Sequence, residues 1–358
     1  MVERTAQPTL VLTGGGTAGH VTPNLALVPG LRAQGWHLEY IGARNGMEQD
    51  LAIAAGLSYH GIATGKLRRY FSWQNFRDPV NVVWGLAAAW HLLGRLQPRA
   101  VFSKGGFVTV PVVLAAALRR IPVILHESDF TPGLANRLTI PFAHTVCTAF
   151  PETAARIPGA IAVGLPLRTE LGGGDRAQGL QHCGLDGTKP VLVVVGGSSG
   201  SAVLNRCVRE SLARLLPHFD VVHGCGKGNV DRDLPAKPGY YQQEYFAAEL
   251  PHILAAADIA LSRAGANTLF EWLALRIPHL VVPLSRRQSR GDQILNAQSF
   301  AQQGFSQVLP EEELNPDTLC QNLLDLYRDR DRYRQAMAAQ PPNQAVDKLL
   351  QLIADLRP

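Results

Sequence analysis

Three stretches of this sequence combine glycine with imidazole, hydroxyl or carboxylate side chains in patterns that suit an anion and a sugar. The first is Gly14-Gly15-Gly16-Thr17-Ala18-Gly19-His20, after the apolar run Thr9–Thr13 and before a helical pattern that opens at Pro23. Thr22 is the expected N-cap, with proline at the first helical position. Glycines there let the backbone approach a charged group beside a helix N-terminus, whose N–H groups and dipole favour anions. His20, directly after the loop, is placed to act as a base near pH 7. Two other readings stay open. One is a structural strand-to-helix turn, which explains the glycines but not His20. The other is a dinucleotide site, since Gly14-x-Gly16-x-x-Gly19 is followed by Glu39 20 residues on. A dinucleotide site wants that acid at the end of the second strand. Tyr40 and Ile41 follow Glu39, which predicts a position mid-strand or at its start.

The second stretch, Gly196-Gly197-Ser198-Ser199-Gly200-Ser201, again follows an apolar run and offers N–H groups and hydroxyls to a phosphate. It lacks the Gly-Lys-Ser/Thr ending of a P-loop, which excludes a triphosphate hydrolase of that type. The third is Ser262-Arg-Ala-Gly265-Ala266-Asn267-Thr268-Leu-Phe-Glu271, in which Glu271 falls one helical turn after Asn267. A carboxylate there can accept from two vicinal hydroxyls, as a ribose presents. A first-turn glutamate that favours the helix dipole accounts for the same residue. Gln293 and Asn296 stand three apart on one helix face, and their amides can both donate to and accept from sugar hydroxyls. His126-Glu127-Ser128-Asp129 ends a strand with an imidazole and two carboxylates, fit for acid/base work or for mutual pairing. Lys66–Trp73 mixes cations with aromatics and suits an anionic membrane surface or a lipid diphosphate.

Elements that would position these residues alternate along the chain. Short apolar strands at Thr9–Thr13, His37–Ile41, Ser58–Ala63, Ala100–Ser103, Pro122–His126 and Thr145–Thr148 are separated by helical patterns. The rhythm restarts at Val191–Val195 and runs through Asp220–His223, Ile259–Ser262 and His279–Pro283. Continuous apolar strands between helices predict parallel sheets covered on both faces. Gly164–Asp175 reads as a linker, giving expected domains at residues 1–165 and 166–340. The segment 341–358, after Pro341-Pro342, reads as a final helix free to pack back on the first domain.

Composition bounds the class. Among 358 residues, 46% are hydrophobic and 18% charged, with a net charge of +5, which excludes a disordered chain. Length predicts two cores. Five scattered cysteines give neither a disulfide scaffold nor a Cys-x-x-Cys zinc site, and their odd count without a secretory signal predicts a reducing compartment. No apolar stretch reaches the roughly 20 residues of a membrane span. The arginines are scattered, so no nucleic-acid partner is expected.

Taken in order, Gly14–His20-Val-Thr-Pro23, Ser103-Lys-Gly-Gly-Phe107, His126-Glu-Ser-Asp129 with Thr131-Pro-Gly-Leu-Ala-Asn136, Gly196-Gly-Ser198, Ser262-Arg-Ala-Gly265 and Gly291-Asp-Gln293…Asn296 resemble the MurG-type N-acetylglucosaminyltransferases of peptidoglycan synthesis. The resemblance runs from about residue 9 to residue 310. It implies two Rossmann-like domains facing a cleft, the GT-B arrangement. It implies inverting transfer of N-acetylglucosamine from UDP-N-acetylglucosamine to the C4 hydroxyl of a muramoyl-pentapeptide on undecaprenyl diphosphate, without cofactor or metal. The protein would then work peripherally on the cytoplasmic face of the inner membrane. Residue by residue, it implies that Thr17, Ala18 and Gly19 close over the donor, with His20 as base. Arg168 and Ser198 would contact the donor and its diphosphate, and Phe246 would lie where the backbone reads uracil. Ala266, Asn267, Thr268 and Glu271 would meet phosphate and ribose, and Gln293 and Asn296 the sugar. The chain departs from the family's pattern with Ala18-Gly19 for Gly-Gly and Ser128-Asp129 for Gln-Asn. Asp129 and Glu127 therefore stand as reserve bases.

A leaving diphosphate must be neutralised, and the resemblance implies that this is done without a metal. Helix N-termini after Gly197 or Gly265, with Arg168, would supply the positive field. Rival classes are a dinucleotide oxidoreductase, a membrane scaffold built on Lys66–Trp73, and a UDP-sugar epimerase on the same fold.

Overall fold

The computed structural model describes residues 7–64, 78–197, 200–286 and 289–356. Ser198 and Lys66–Trp73, both singled out above, lie outside the described residues. The chain divides into two compact units, Met1–Arg168 with Asn343–Pro358, and Thr169–Pro342.

The first unit runs β1 (Thr9–Thr13), α1 (Thr22–Ala33), β2 (His37–Ala43), α2 (Met47–Ala54), β3 (Ser58–Ile62), α3 (Asp78–Leu96), β4 (Ala100–Ser103), α4 (Thr109–Leu118), β5 (Val123–Glu127), α5 (Leu134–Thr139), β6 (Thr145–Thr148), α6 (Pro151–Ala154) and β7 (Ile161–Ala162). Its described strands form one parallel sheet in the order β3-β2-β1-β4-β5-β6-β7. Leu10 and Leu12 point into a core with Leu27 and Leu31 of α1, whereas Val11 joins Val101, Val112 and Val113 on the opposite face. Burial on both faces is why β1 reads as an unbroken apolar run.

The second unit runs α7 (Arg176–Cys183), β8 (Val191–Val195), α8 (Ala202–Leu215), β9 (Asp220–Gly224), β10 (Tyr240–Gln243), α9 (Leu250–Ala256), β11 (Ile259–Ser262), α10 (Ala266–Leu275), β12 (His279–Val281), α11 (Asp292–Gln302), β13 (Ser306–Val308), α12 (Pro316–Arg328) and α13 (Arg330–Ala338). Its parallel sheet is ordered β10-β9-β8-β11-β12-β13.

A last helix, α14 (Ala345–Ala354), belongs to the first unit and packs on α1. Leu349 and Ile353 are fully buried in the core that holds Leu27 and Leu31, each burial contributing about 1.5–3 kcal/mol. Gly30 of α1 makes the approach possible, because a Cβ there would lie 2.4 Å from Leu350 Cδ1.

The start of α1 differs from the sequence expectation. Thr22 is not an N-cap: its Oγ1 donates back to the carbonyl of Ala18 at 3.1 Å. Ala18–His20 forms a 3-10 turn that runs directly into the helix, with Val21 N–H bonded to Ala18 O at 2.9 Å. The turn itself supplies the first carbonyl acceptors, so no side-chain cap is needed. Among the described residues no helix is long and apolar enough to cross a membrane.

Candidate active site

In an open parallel sheet, ligands lodge at the carboxyl ends of the strands where the winding direction reverses. The first sheet reverses between β1 and β4, the second between β8 and β11. The loops at these two places are the glycine-rich stretches of the sequence.

After β1, the turn Gly14–Gly16 is clamped from three sides. A Cβ on Gly14 would come within 2.3 Å of His20 O, and one on Gly15 within 2.3 Å of Glu48 Oε1. From the neighbouring β4 turn, Gly106 at φ +91° sits so close that its Cβ would be 2.2 Å from Gly15 O. Glu48 is fully buried; its Oε2 accepts from Gly16 N–H at 3.3 Å and its Oε1 from Ala43 N–H at 2.9 Å. Tyr40 donates to Gly14 O at 2.8 Å, and burial pushes its hydroxyl above the ordinary range. This scaffold carries His20, half-buried, with Nδ1 3.1 Å from Gly15 O and 3.1 Å from Thr17 Oγ1. Thr17 is exposed and Ala18 and Gly19 are half-buried.

After β4 and β5, Lys104 is fully buried and donates to Ser128 Oγ. Glu127, also buried, accepts from Asp129 N–H at 2.9 Å, Gly133 N–H at 3.0 Å and Asn136 Nδ2 at 2.8 Å. Three donors commit that carboxylate to holding the 127–136 turn. Of the two reserve bases, Asp129 is the half-exposed one. His126 Nε2 lies 2.8 Å from Gly164 O. Burial, reinforced by the nearby Lys104 charge, drives its pKa well below the ordinary range, so the ring is neutral.

In the second unit Gly197 and Gly200 adopt φ +92° and +73°, the left-handed region that favours glycine. A Cβ on Gly200 would fall 2.1 Å from Cys225 O. Ser201 caps α8, accepting from Leu204 N–H at 3.3 Å, and is held in turn by Arg263 Nη2 at 2.8 Å. Arg263, buried, also reaches Val282 O at 3.0 Å and Glu311 at 2.5 Å. It thereby ties the β8, β11 and β12 loops together.

Gly265 opens α10, followed by Ala266, Asn267 and Thr268, with Glu271 half-buried in the second turn. Gln293 Oε1 accepts from Ala264 N–H at 3.2 Å and Leu284 N–H at 3.1 Å. Asn296, fully buried, donates to Ala264 O at 3.2 Å. The two amides expected at a sugar therefore serve first as struts of the α10 turn. A ligand hydroxyl would have to use the Gln293 NH2. Phe246 packs over the carboxyl end of β9, where a Cβ on Gly224 would lie 2.9 Å from its ring.

The structure thus groups His20 with Thr17, Ala18 and Gly19 at one switch point. It groups Ala266, Asn267, Thr268, Glu271, Gln293 and Asn296 on the adjoining loops of the other. Arg168 is exposed at the end of the first unit's leading segment. Glu48, Lys104 and Arg263 were not singled out for any role in the sequence. Glu39 does not suit the dinucleotide reading. It lies third in β2, with its carboxylate 2.9 Å from His37 Nε2 and 2.7 Å from His60 Nε2.

Residues 10–148 match the glycosyltransferase family 28 N-terminal domain and residues 191–353 its C-terminal domain. The chain is 53% identical over 350 residues to a protein of Lachnoclostridium phytofermentans, covering 97% of this chain and 99% of that one. It is 50% identical over 347 residues to one of Geobacillus thermodenitrificans, covering 96% and 98%. Both are named UDP-N-acetylglucosamine--N-acetylmuramyl-(pentapeptide) pyrophosphoryl-undecaprenol N-acetylglucosamine transferase. Among solved structures, Acinetobacter baumannii MurG superposes with a TM-score of 0.75 at 25% identity, over 98% of this chain and 99% of that chain.

Proposed function

The chain belongs to glycosyltransferase family 28, and from that premise we propose how its residues carry out the family's sugar transfer. It is an N-acetylglucosaminyltransferase that moves N-acetylglucosamine from UDP-N-acetylglucosamine to the muramoyl-pentapeptide carried on undecaprenyl diphosphate. The observation that carries the mechanism is the pairing of two kinds of switch-point loop in one chain. One presents a histidine on a glycine turn; the other presents two helix N-termini.

The reaction is an inverting single displacement. His20 takes the proton of the acceptor's C4 hydroxyl as that oxygen attacks the anomeric carbon, and UDP departs. The departing diphosphate gathers negative charge. The N-termini of α8 and α10 meet it with backbone N–H groups and positive dipole ends, joined by Arg168 and Ser198. Glu271 accepts from the ribose hydroxyls, Thr268 and its neighbours Ala266 and Asn267 support the phosphates, and Phe246 marks the uracil end. Thr17, Ala18 and Gly19 cover the donor, and Gln293 addresses the sugar.

The reading places the protein peripherally on the cytoplasmic face of the membrane, since its acceptor is lipid-linked and its donor water-soluble. In support, α3 exposes Val83 and Trp84, and α5 exposes Leu134 and Leu138, each helix packing on α4 of the first unit.

The deciding experiment measures UDP release from UDP-N-acetylglucosamine with and without a lipid-linked muramoyl acceptor. Release only with the acceptor supports the transferase. Acceptor-independent UDP release points to a hydrolase or a hydrolysing epimerase, and conversion to another UDP-sugar without UDP release points to a simple epimerase; either overturns it.

A further inference from the structure

A fully buried lysine is an expensive way to fill space, because an ammonium loses its hydration unless charges and acceptors replace it. Lys104 is such a residue, and it stands where the first sheet reverses direction. Its backbone N–H bonds Thr13 O at 2.9 Å, and a Cβ on Gly14 would lie 3.2 Å from its own Cβ. Its ammonium reaches the other way, to Ser128 Oγ in the turn that bears Asp129. The two following residues continue the bridge. Gly105, at φ +97°, packs against the Asn136 amide that holds Glu127, and Gly106 packs against Gly15.

We propose that Lys104 is a positioning residue for the transfer reaction: its charge fixes the 127–129 turn against the Gly14–His20 loop, and so holds the acceptor-side groups in register. The proposal rests on the transferase reading above. A purely space-filling role is met as well by an unbranched apolar side chain, whereas Lys104 adds a charge balanced by two carboxylates. The titratable groups that face it are Glu127 and Asp129, both of which favour its charged form, and His126, kept neutral by burial and, secondarily, by the Lys104 charge. The β1 side brings backbone at Gly14 and carries His20 on the same loop, to which Glu48 of α2 is hydrogen-bonded. Burial lowers the Lys104 pKa to about 8 against the pull of Glu127 and Asp129. The positioning charge is therefore lost just above neutrality.

The test follows kcat for UDP release with saturating UDP-N-acetylglucosamine and lipid-linked acceptor across the neutral to alkaline range. It compares wild type, Lys104→Met and Lys104→Arg, with thermal unfolding of each. Wild-type kcat should fall along a limb centred near pH 8. Lys104→Met should lose about 10²-fold in kcat near pH 7, with no limb near pH 8 and donor KM within about twofold. Lys104→Arg should recover part of kcat and move the limb upward, because a guanidinium keeps its charge. Wild-type kcat in Lys104→Met, or a limb near pH 8 that persists in it, overturns the proposal. If Lys104→Met does not fold, a limb that Lys104→Arg leaves in place overturns it equally. A wild type that releases no UDP with acceptor overturns the transferase reading itself, before any variant is compared.

Discussion

His20 Nδ1 lies 3.1 Å from the carbonyl oxygen of Gly15. A carbonyl can only accept, so Nδ1 carries the proton of the neutral ring and Nε2 is its basic nitrogen. The contact closes inside the glycine turn and spans five residues, which makes the turn itself the device that orients the ring. In many hydrolytic sites a carboxylate holds the histidine; here a peptide carbonyl does so and brings no charge of its own to the ring.

That arrangement predicts a split in kinetics. His20→Ala should lower kcat by about 10²–10⁴-fold, the usual worth of a positioned base, while UDP-N-acetylglucosamine affinity stays near wild type. Steady-state kinetics paired with calorimetric donor binding reads both. Equal losses in the two would remove the base assignment.

Glu271 predicts the opposite pattern. It is half-buried on α10, and a carboxylate accepting from ribose hydroxyls contributes mainly to binding. Glu271→Ala should weaken UDP by about 1.5–3 kcal/mol, the range of hydrogen bonds to a charged group. Titration with UDP alone tests this, and unchanged affinity would count against the ribose role.

Much of this was legible in the sequence. Val191–Val195 and Ile259–Ser262 are strands over the same residues in the structure, because strands buried on both faces must be continuously apolar. The glycine turns were legible for a related reason: a backbone at φ +86°, as at Gly16, or pressed against another chain segment tolerates little else. What escaped were residues whose role depends on distant partners. Glu48 looks like any first-turn acid of α2 until Gly16, 32 residues away, is seen to donate to it. Lys104 becomes a buried charge only through Ser128, 24 residues on. Ile161–Ala162 is too short for any periodicity to show. The amides of Gln293 and Asn296 were recognisable as polar at one helix face, but their use as struts depends on Ala264 across the fold.

Glu48 yields a prediction of its own. Both its oxygens accept backbone N–H groups, so Glu48→Gln turns one acceptor into a donor facing a donor. One part-buried N–H loses its partner, at about 1 kcal/mol of stability. The glycine turn that carries His20 should loosen as well, with kcat down about tenfold or more and UDP affinity unaltered. Hydrogen exchange at Gly16 and Ala43 would report the loosening; native protection in the variant would show that the carboxylate is dispensable.

Acid stability of the second unit follows from two buried histidines. His279, fully buried, has Nδ1 2.8 Å from Ile277 O and Nε2 2.5 Å from Ser306 Oγ. His223 sits between Asn205 and Tyr240, each at 3.0 Å. Burial pushes their pKa values down from 6.5 to about 4 and about 3, respectively. In the folded state both rings are neutral over a range where the unfolded chain already binds protons. Stability is therefore fully present above about pH 6.5 and is lost as pH falls towards 4, where His279 itself charges. For His279 the loss amounts to about 3 kcal/mol, taking roughly 1.4 kcal/mol per pKa unit. Hydrogen exchange of β11–β13 amides as a function of pH isolates this unit without requiring the whole chain to unfold as one. His279→Gln should flatten the acid slope between pH 6.5 and 4 whatever its effect on stability at neutral pH. If the variant keeps the wild-type slope, the proton is being taken up elsewhere.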